Sequence, residues 1–563
     1  MYSVTKESEN LPSGVDRFIS AISRRGFRRG WTGFIILFFL GFVVIPTVFI
    51  LTYIFTDWSG IQTKVLSDSV LTGQIVDSIV ASFEIAGIVT VIDFLVGLPM
   101  AWIMVRKEFP GKRYIDTLID MPLAVPTAAL GFSSAIFFAV TKPGLTSPLG
   151  LGLVSSPFLL IILLHVVFSY PYMVRSLSAI LEQIDVTYET AGRTLGAARF
   201  TAARTITLPL FRAGLVTGII LCFARSLSET GGTVIALASM RSANGFNTGP
   251  TLINFLKGQY GSGDANALPA LAFVSILLII AALVLLVVLK VVVMKVRLPA
   301  GKVWPKWERI LSRGWVPKSK DGISIAFLVI FVLLPAFFIF TYVFTATSGG
   351  AGSWNLFYES LGISFLVAGV VTVVDLLLGI PLALYIARGG KARIPAALDV
   401  LVNVPLIVPT AALGFSLGFF WVGPKPATGG IALVLVIFAH IAFTYPLVVR
   451  NVAGAVEEID PAFEETARTL GAKPVQAFRR VLYPMIKSSI LAGSIMAFTR
   501  SLGETGATLA VANVNTAPVY IVNLIKNPPF DYYTAAVACI VLIFVSYIFM
   551  LALRFVTRKR RAA

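Results

Sequence analysis

Long runs of apolar residues, separated by short polar segments, make up most of this 563-residue sequence. A helix needs about 20 mostly apolar residues to cross the hydrocarbon core of a bilayer. The runs predict twelve membrane-spanning helices, six in each half, and glycine or polar residues interrupt the fifth of each half. The predicted spans are residues 33–55, 77–105, 119–140, 154–176, 209–238, 268–294, 323–345, 360–387, 398–421, 430–450, 485–512 and 532–556. The pattern therefore predicts an all-α, polytopic membrane protein.

The composition excludes two other classes of protein. Hydrophobic residues make up 57% of the chain and charged residues 13%, whereas soluble domains carry about 45–50% and about 25%. A soluble enzyme is therefore excluded, and an apolar content this high also excludes a disordered chain. With only 2 cysteines and 2 histidines, neither a disulfide framework nor a metal cluster is expected. We expect this chain to bind no metal and no cofactor.

The net charge of +18 is concentrated in a few loops and at the two ends of the chain. With twelve spans, all of these loops fall on one side of the membrane, and basic loops are typically retained in the cytoplasm. Both termini are therefore predicted to be cytoplasmic, with lipid rather than nucleic acid as the neighbour of the basic residues. The basic residues that set this orientation are Arg24, Arg25, Arg28, Arg29, Arg106, Lys107, Lys112, Arg113, Lys295, Arg297, Lys302, Lys306, Arg309, Arg313, Lys318, Lys320, Arg388, Lys391, Arg393, Arg558, Lys559, Arg560 and Arg561.

The two halves of the sequence repeat one another. The segments that begin at His165, Arg193 and Ser226 recur 275 residues later, at His440, Arg468 and Ser501. An even number of spans gives both repeats the same orientation, so they form parallel repeats with a pathway expected between them. We predict a basic segment at 1–30, a first half at 31–297, a basic linker at 298–321, a second half at 322–557 and a basic tail at 558–563.

The loop between the fourth and fifth spans of each half has a distinct pattern. It predicts a short helix, a glycine turn and a second short helix, followed by a proline that opens the fifth span, where its missing N–H has no cost. Glycine lets the backbone reverse closely at Gly196 and Gly471, and the prolines are Pro209 and Pro484. Each loop is therefore expected to present a compact knob to the cytosol.

These loops resemble the "EAA" loop, Glu-Ala-Ala-x3-Gly-x9-Ile-x-Leu-Pro, of permease subunits in binding-protein-dependent ABC importers. The second copy matches with Glu465, Ala467 and Gly471, whereas the first copy has Thr190 at the acidic position and Glu189 one residue early. The resemblance covers both halves. It implies a fused, double-length permease of two parallel six-helix repeats of the type I importer fold.

The resemblance also implies partners. In that family the loops are coupling helices that fit grooves on two copies of a cytoplasmic ABC ATPase, which bind ATP and Mg²⁺, while an extracytoplasmic binding protein delivers the solute. This role carries over to Glu189, Ala191, Gly192, Gly196, Pro209, Glu465, Ala467, Gly471 and Pro484. The sequence has no Gly-x4-Gly-Lys-Ser/Thr loop for ATP phosphates, so we expect a transport subunit of a prokaryotic plasma (inner) membrane and no enzyme. Ordinary interfacial helices are the alternative interpretation of the loops.

Charged residues inside spans are costly, and they usually face the bundle interior or a watery cavity. Arg225 and Glu229 in the fifth span, and Arg500 and Glu504 in its repeat, are spaced for an ion pair on one helix face. They indicate either a polar stretch beside the pathway or a structural pair that holds the halves together. Pro126 and Pro409 are expected to bend the third spans, which would place a gate there or only serve packing. For Asp93, Asp375, His165 and His440, helix packing is favoured over solute contact or a proton relay.

The solute is less defined by the sequence. Double-length permeases of this kind resemble the iron(III), thiamine and 2-aminoethylphosphonate group, whereas residues 501–508 resemble sulfate and molybdate or tungstate permeases. Iron(III) and an oxyanion are the leading candidates. A twelve-span secondary transporter driven by an ion gradient is the alternative function, because intramembrane carboxylates can carry protons, although such a carrier has no use for the two coupling-type loops.

Overall fold

The computed structural model describes residues 24–145, 148–295, 308, 310, 312, 315–346, 352–390, 392–424 and 427–558. Most of the basic N-terminal segment, most of the linker and the end of the tail lie outside the described residues, so the predicted domain boundaries remain predictions. Among the described residues there are two isolated β-bridges and no β-strand, which confirms the all-α fold.

Among the described residues, eleven helices of the first half each have a counterpart in the second half, eleven numbers later. The short helices Trp58–Ile61, Leu208–Leu210 and Ile339–Thr345 are not numbered. The helices of the first half are α1 Gly26–Thr56, α2 Ser69–Arg106, α3 Lys112–Ala124, α4 Thr127–Phe138, α5 Pro157–Gln183, α6 Val186–Thr194, α7 Arg199–Ala202, α8 Arg212–Leu227, α9 Gly231–Ser239, α10 Gly249–Gly261 and α11 Ala267–Lys295. Those of the second half are α12 Val316–Phe337, α13 Trp354–Arg388, α14 Arg393–Ile407, α15 Thr410–Val422, α16 Gly429–Glu457, α17 Ala462–Thr469, α18 Pro474–Ala477, α19 Tyr483–Leu502, α20 Gly506–Val511, α21 Ala517–Lys526 and α22 Tyr532–Arg558.

The number of spans agrees with the sequence prediction once broken helices are joined. Within the described ranges, nine helical stretches are long and apolar enough to cross a membrane, and three bent pairs bring the total to twelve. The third predicted span is not one gently bent helix, because α3 and α4 meet at 103° and α14 and α15 at 108°. Pro126 and Pro409 stand directly before α4 and α15, and a proline forces the residue before it out of helical geometry.

The first helix of each half packs against the opposite half. The hydroxyl of Ser416 in α15 accepts a hydrogen bond from the Ile50 N–H of α1 at 2.9 Å and donates one to the Pro46 carbonyl at 2.7 Å. Symmetrically, Ser133 in α4 accepts one from the N–H of Ile339, just beyond α12, at 2.9 Å. The Ser416 hydroxyl thus bridges a carbonyl and an N–H four residues apart, a pair that would bond each other directly in an α-helix. The two halves are therefore interlocked.

Two buried histidines connect α5 and α16 to the interrupted fifth spans. His165 contacts the hydroxyls of Ser226 in α8 at 2.8 Å and Thr233 in α9 at 2.9 Å, and His440 makes the same contacts in the second half. Each histidine thus bridges both sides of the break, in the helix-to-helix role favoured by the sequence. The buried Asp93 accepts hydrogen bonds from Ser169 and, at 3.2 Å, from the thiol of Cys222.

Candidate functional site

The breaks in the two fifth spans form the first candidate site. Each is capped by the glutamate that the sequence analysis singled out: Glu229 Oε1 accepts the N–H of Gly232 at 2.9 Å, and Glu504 Oε1 accepts the N–H of Ala507 at 2.9 Å. The first N–H groups of a helix have no partner within it, and a carboxylate there also complements the helix dipole. The glutamates therefore stabilise a helix that restarts inside the membrane.

The second oxygen of each glutamate pairs with the arginine one turn earlier. Arg225 Nη1 lies 2.7 Å from Glu229 Oε2, and Arg500 pairs with Glu504 in the same way. Both glutamates are buried. Each guanidinium also lies over an aromatic ring of the fourth span, at 4.6 Å from the centre of Phe168 and 5.0 Å from that of Phe443, a favourable cation–π geometry. The predicted ion pairs are thus present, one within each half.

The two breaks also contact each other across the interface between the halves. Gly231 faces Thr505, and Gly506 faces Thr230. Thr410 at the start of α15 donates a hydrogen bond to the Ser228 carbonyl at 3.2 Å. Pro126 lies against Gly503, so the proline-terminated third spans belong to the same contact.

A small cavity beside this contact is lined by an arginine from each half. Its volume is about 30 Å³, and Arg225, Arg500, Pro126, Tyr172 and Thr499 are among the residues that line it. Such a volume accommodates one or two water molecules at most. The structure therefore brings the two arginines together where little free space remains between the halves, and Pro409 is not among the lining residues.

The loops with the predicted coupling helices form the second candidate site. No residue of α6 or α17 is buried. Each helix ends at a glycine with a positive φ, 91° at Gly196 and 90° at Gly471, and the next N–H bonds back to the carbonyls of Gly192 and Ala467 respectively. This is a Schellman C-cap, in which glycine avoids the steric cost of the left-handed conformation.

The tips of these loops expose an apolar side chain that the sequence analysis missed. Leu195 is 90% exposed and Leu470 is 83% exposed, each directly before the capping glycine. An exposed leucine at the same place in both repeats indicates a contact surface for another protein, and Tyr188 and Phe463 in the same loops are exposed as well. The detectable signal was the Leu-Gly pair, which is identical in the two copies.

An arginine at the end of each second span holds the loop in place. Arg106 Nε lies 3.0 Å from Glu189 Oε1, and Arg106 also donates to the Ile184 carbonyl at 2.8 Å. In the second half, Arg388 Nε lies 2.8 Å from Glu464 Oε1, while Glu465 is exposed. The structural counterpart of Glu189 is therefore Glu464, one residue before the motif position to which the sequence comparison assigned the acidic residue.

Other predicted loop residues serve packing within the loop. A side chain at Gly192 would meet Ile206 at 2.4 Å, so glycine allows α6 to lie close to the segment after α7. Pro209 and Pro484 stand in the first turn of helical segments that continue without a break from the turns Ala203–Thr207 and Phe478–Leu482. The helix therefore begins before each proline and not, as the sequence predicts, at it. Asp185 caps α6, and hydrogen bonds from the Thr187 hydroxyl and N–H lower the pKa of the Asp185 carboxyl.

Two of the described residues of the linker contact the first loop. Glu308, which is 3% exposed, accepts hydrogen bonds from the Thr201 hydroxyl and from Arg204 Nε, both at 2.7 Å. Ser312 accepts the Phe200 N–H at 3.0 Å and so caps α7. In the second loop the corresponding helix α18 is capped from within, by the side chain of Gln476. The part of the chain that the structure describes contains no group of three side chains suited to a metal ion.

Comparison with known proteins gives one family and several relatives. The family model described as "Binding-protein-dependent transport system inner membrane component" matches residues 93–298 and again residues 379–562, in agreement with the internal repeat. The "Molybdenum transport system permease protein ModB" of Escherichia coli strain K12 is 31% identical over 175 residues, which are 30% of this chain and 76% of that protein. The "Sulfate transport system permease protein CysT" of Salmonella typhimurium strain LT2 is 33% identical over 169 residues, 30% of this chain and 61% of that protein.

Proposed function

Because this chain belongs to the family of binding-protein-dependent transport system inner membrane components, with one permease domain in each half, we propose that it forms the transmembrane pathway of an ATP-driven oxyanion importer. Molybdate and sulfate are the favoured solutes. The named relatives act in molybdenum and sulfate transport, which supports an oxyanion over iron(III), thiamine or a phosphonate. The chain itself performs no covalent chemistry in this proposal.

The observation that carries the proposal is the pair of arginines that line one cavity between the halves. Arg225 and Arg500 come from different halves, and each is already neutralised by its own glutamate. An oxyanion that enters between the separated halves would meet two guanidinium groups, whose planar donors match tetrahedral oxyanions well. The retained glutamates would keep the site from binding the anion too tightly to release it.

The proposed partners follow from the exposed loops. Two copies of a cytoplasmic ABC ATPase would bind α6 and α17, with Leu195 and Leu470 as apolar anchors and Gly196 and Gly471 setting their angle. Closure of the ATPases around ATP would move both loops, and since Arg106 and Arg388 attach the loops to α2 and α13, that movement would be passed to the bundle. Because the loops lie on the face with the basic clusters, we place this face and both termini in the cytoplasm of a prokaryotic cell.

Reconstituted transport tests the proposal. The chain and the ATPase encoded with it would be placed in liposomes, and uptake of radiolabelled molybdate and sulfate would be measured with the cognate binding protein outside and MgATP inside. We expect uptake that requires ATP and survives a protonophore. In an Arg225→Gln, Arg500→Gln double variant, uptake should fall at least tenfold, with ATPase capture intact. Uptake that collapses with the proton gradient and ignores ATP would instead establish the secondary carrier.

A further inference from the structure

The helices α10 and α21 occupy equivalent places in the two halves. Each follows a threonine, Thr248 or Thr516, and the first N–H of each donates to a serine of the second span in its own half, Ser82 or Ser364, at 2.8 Å. Position 257 therefore corresponds to position 525, each nine residues beyond its threonine. Each helix crosses to the other half, with α10 on α15 and α20, and α21 on α4 and α9.

Position 257 in α10 and the equivalent position 525 in α21 carry different types of side chain. Ile525 is completely buried. In its place in α10, Lys257 directs its ammonium group to the other half, where Nζ donates to the carbonyl of Leu509 at 2.7 Å. One turn earlier, Asn254 likewise replaces the buried Val522. Since the fold accepts apolar residues at both positions, packing alone does not require the lysine or the asparagine.

Among the described residues, no counter-charge lies near the ammonium group of Lys257. None of the ion pairs among the described residues includes Lys257, and burial lowers its pKa to about 7. Neither the nitrogen nor the oxygen of the Asn254 amide has a hydrogen-bond partner in the described structure. Buried charge is unfavourable unless it is paired, so this surface of α10 suits an anion better than the neutral carbonyl it now contacts.

Lys257 lies between the two halves, on the membrane face opposite the coupling loops. α10 follows α9, so it lies on the membrane face opposite the coupling loops, and Leu509 lies beyond Glu504 in the outer segment of the interrupted fifth span. The bond from Lys257 to Leu509 therefore joins the two halves on the side from which an imported solute arrives. Separation of the halves on that side would move α10 away from α20 and break this bond.

We propose that Lys257, with Asn254, is the outer docking site for the oxyanion, a single site in the otherwise repeated chain; this rests on the proposed function. In the closed state the ammonium binds the Leu509 carbonyl, and on opening it exchanges that neutral acceptor for the incoming dianion. A charge-assisted hydrogen bond to an anion is about twice as strong as a neutral one. The exchange thus favours the open state only when an anion is present.

Substitutions that copy the second half test the site. Lys257→Ile reproduces Ile525 and is expected to fold, Lys257→Gln keeps a donor for the Leu509 carbonyl without the charge, and Lys257→Arg keeps the charge. Lys526→Gln is the matched control, since Lys526 follows Ile525 in α21. Equilibrium binding of radiolabelled molybdate and sulfate would be measured on the full complex with a hydrolysis-deficient ATPase and ATP, alongside uptake by the wild-type complex.

We expect Lys257→Ile and Lys257→Gln to capture the ATPase normally and to bind both anions roughly tenfold more weakly, as the loss of one charge-assisted hydrogen bond predicts. Lys257→Arg and Lys526→Gln should bind as the wild type does. Unchanged binding by Lys257→Ile, or full binding by Lys257→Gln, would overturn the charged site while leaving the proposed function in place. A wild-type complex that takes up neither anion would overturn the proposed function, and the docking site with it.

Discussion

Gly231 of the first half lies directly against Thr505 of the second, so closely that a Cβ at position 231 would be 2.5 Å from the Cβ of Thr505. The reciprocal contact has nearly the same geometry, with 2.6 Å between a Cβ at position 506 and the Cβ of Thr230. Real Cβ atoms do not approach so closely, so the halves meet in this way only because both positions are glycine. The close contact between the halves therefore depends on both glycines.

Gly231→Ala and Gly506→Ala, each made singly, should therefore prevent the two halves from meeting at this contact. Overpacking of this kind costs about 1–3 kcal/mol, which we expect to appear as an open path. Anion leak through proteoliposomes without ATP should rise, and ATP-driven uptake should fall at least tenfold. Gly87→Ala is the control, because Gly87 lies in α2 with no atom within 4 Å of an added Cβ. Removing the Thr505 side chain with Thr505→Gly should restore closure to Gly231→Ala; no rescue would contradict the steric explanation.

The sequence predicted part of this site and not the rest, for a physical reason. The ion pairs Arg225–Glu229 and Arg500–Glu504 are local, because residues four apart share a helix face, and the breaks are encoded by glycine and polar residues at fixed places. The contact of Gly231 with Thr505 depends on how two distant segments meet. Lys257 was missed for a different reason: its counterpart in the other repeat is the apolar Ile525, so a search for residues shared by the two halves passes over it.

Replacing Gly196 and Gly471 together with valine should uncouple the chain from its ATPases. A residue with a Cβ at these positive φ values loses roughly 1–2 kcal/mol, although nothing within 4 Å blocks the side chain itself. We expect the C-caps of α6 and α17 to open and co-purification of the ATPase to fall, with membrane insertion unchanged. Gly454→Val, at a helical glycine in α16 with open space around it, is the control. Retained ATP-driven uptake in the double variant would count against the coupling role.

The pairing of Arg388 with Glu464 predicts that two adjacent glutamates, Glu464 and Glu465, differ in how much they stabilise the loop. Glu464→Gln should weaken the bond to Arg388 and loosen α17, since a hydrogen bond to a charged group contributes about 1.5–3 kcal/mol before exposure reduces it. Glu465→Gln should leave the loop in place, because Glu465 is exposed. Protease cleavage within residues 459–471 of the purified chain measures the loosening. Equal cleavage in both variants would show that Arg388 does not hold the loop.

This pair also shows where motif alignment fails. The family pattern assigns its acidic residue to Glu465, and by that pattern the first repeat departs with Glu189. The distance of 275 residues between repeats pairs Glu189 with Glu464 instead, and both contact the arginine at the end of the second span. Spacing within the chain identified the structural role better than the motif did, because the partner arginines recur at matching positions.

The two coupling loops should differ in their dependence on the linker, and Glu308→Gln tests this difference. Glu308 binds Thr201 and Arg204, and the Thr201 hydrogen bond, followed by Arg204, lowers the pKa of the Glu308 carboxyl below its ordinary value of 4.5. A carboxyl whose pKa is lowered by folding contributes stability above its ordinary pKa, and the contribution disappears as the pH falls through the lowered value. At neutral pH the variant therefore loses the full contribution.

Hydrogen exchange at neutral pH should report the loss. If each of the two hydrogen bonds contributes about 0.5–1.5 kcal/mol, the amides of residues 200–207 should exchange roughly 5- to 150-fold faster in Glu308→Gln. Residues 474–477, which Gln476 caps from within, should be unaffected. Glu182→Gln, at an exposed glutamate on the same membrane face, should change neither segment. Because Glu308 contacts the first loop, the variant should also weaken ATPase cross-linking at Leu195 and spare it at Leu470. Equal weakening at both leucines would mean that the linker acts on the whole bundle instead of on one loop.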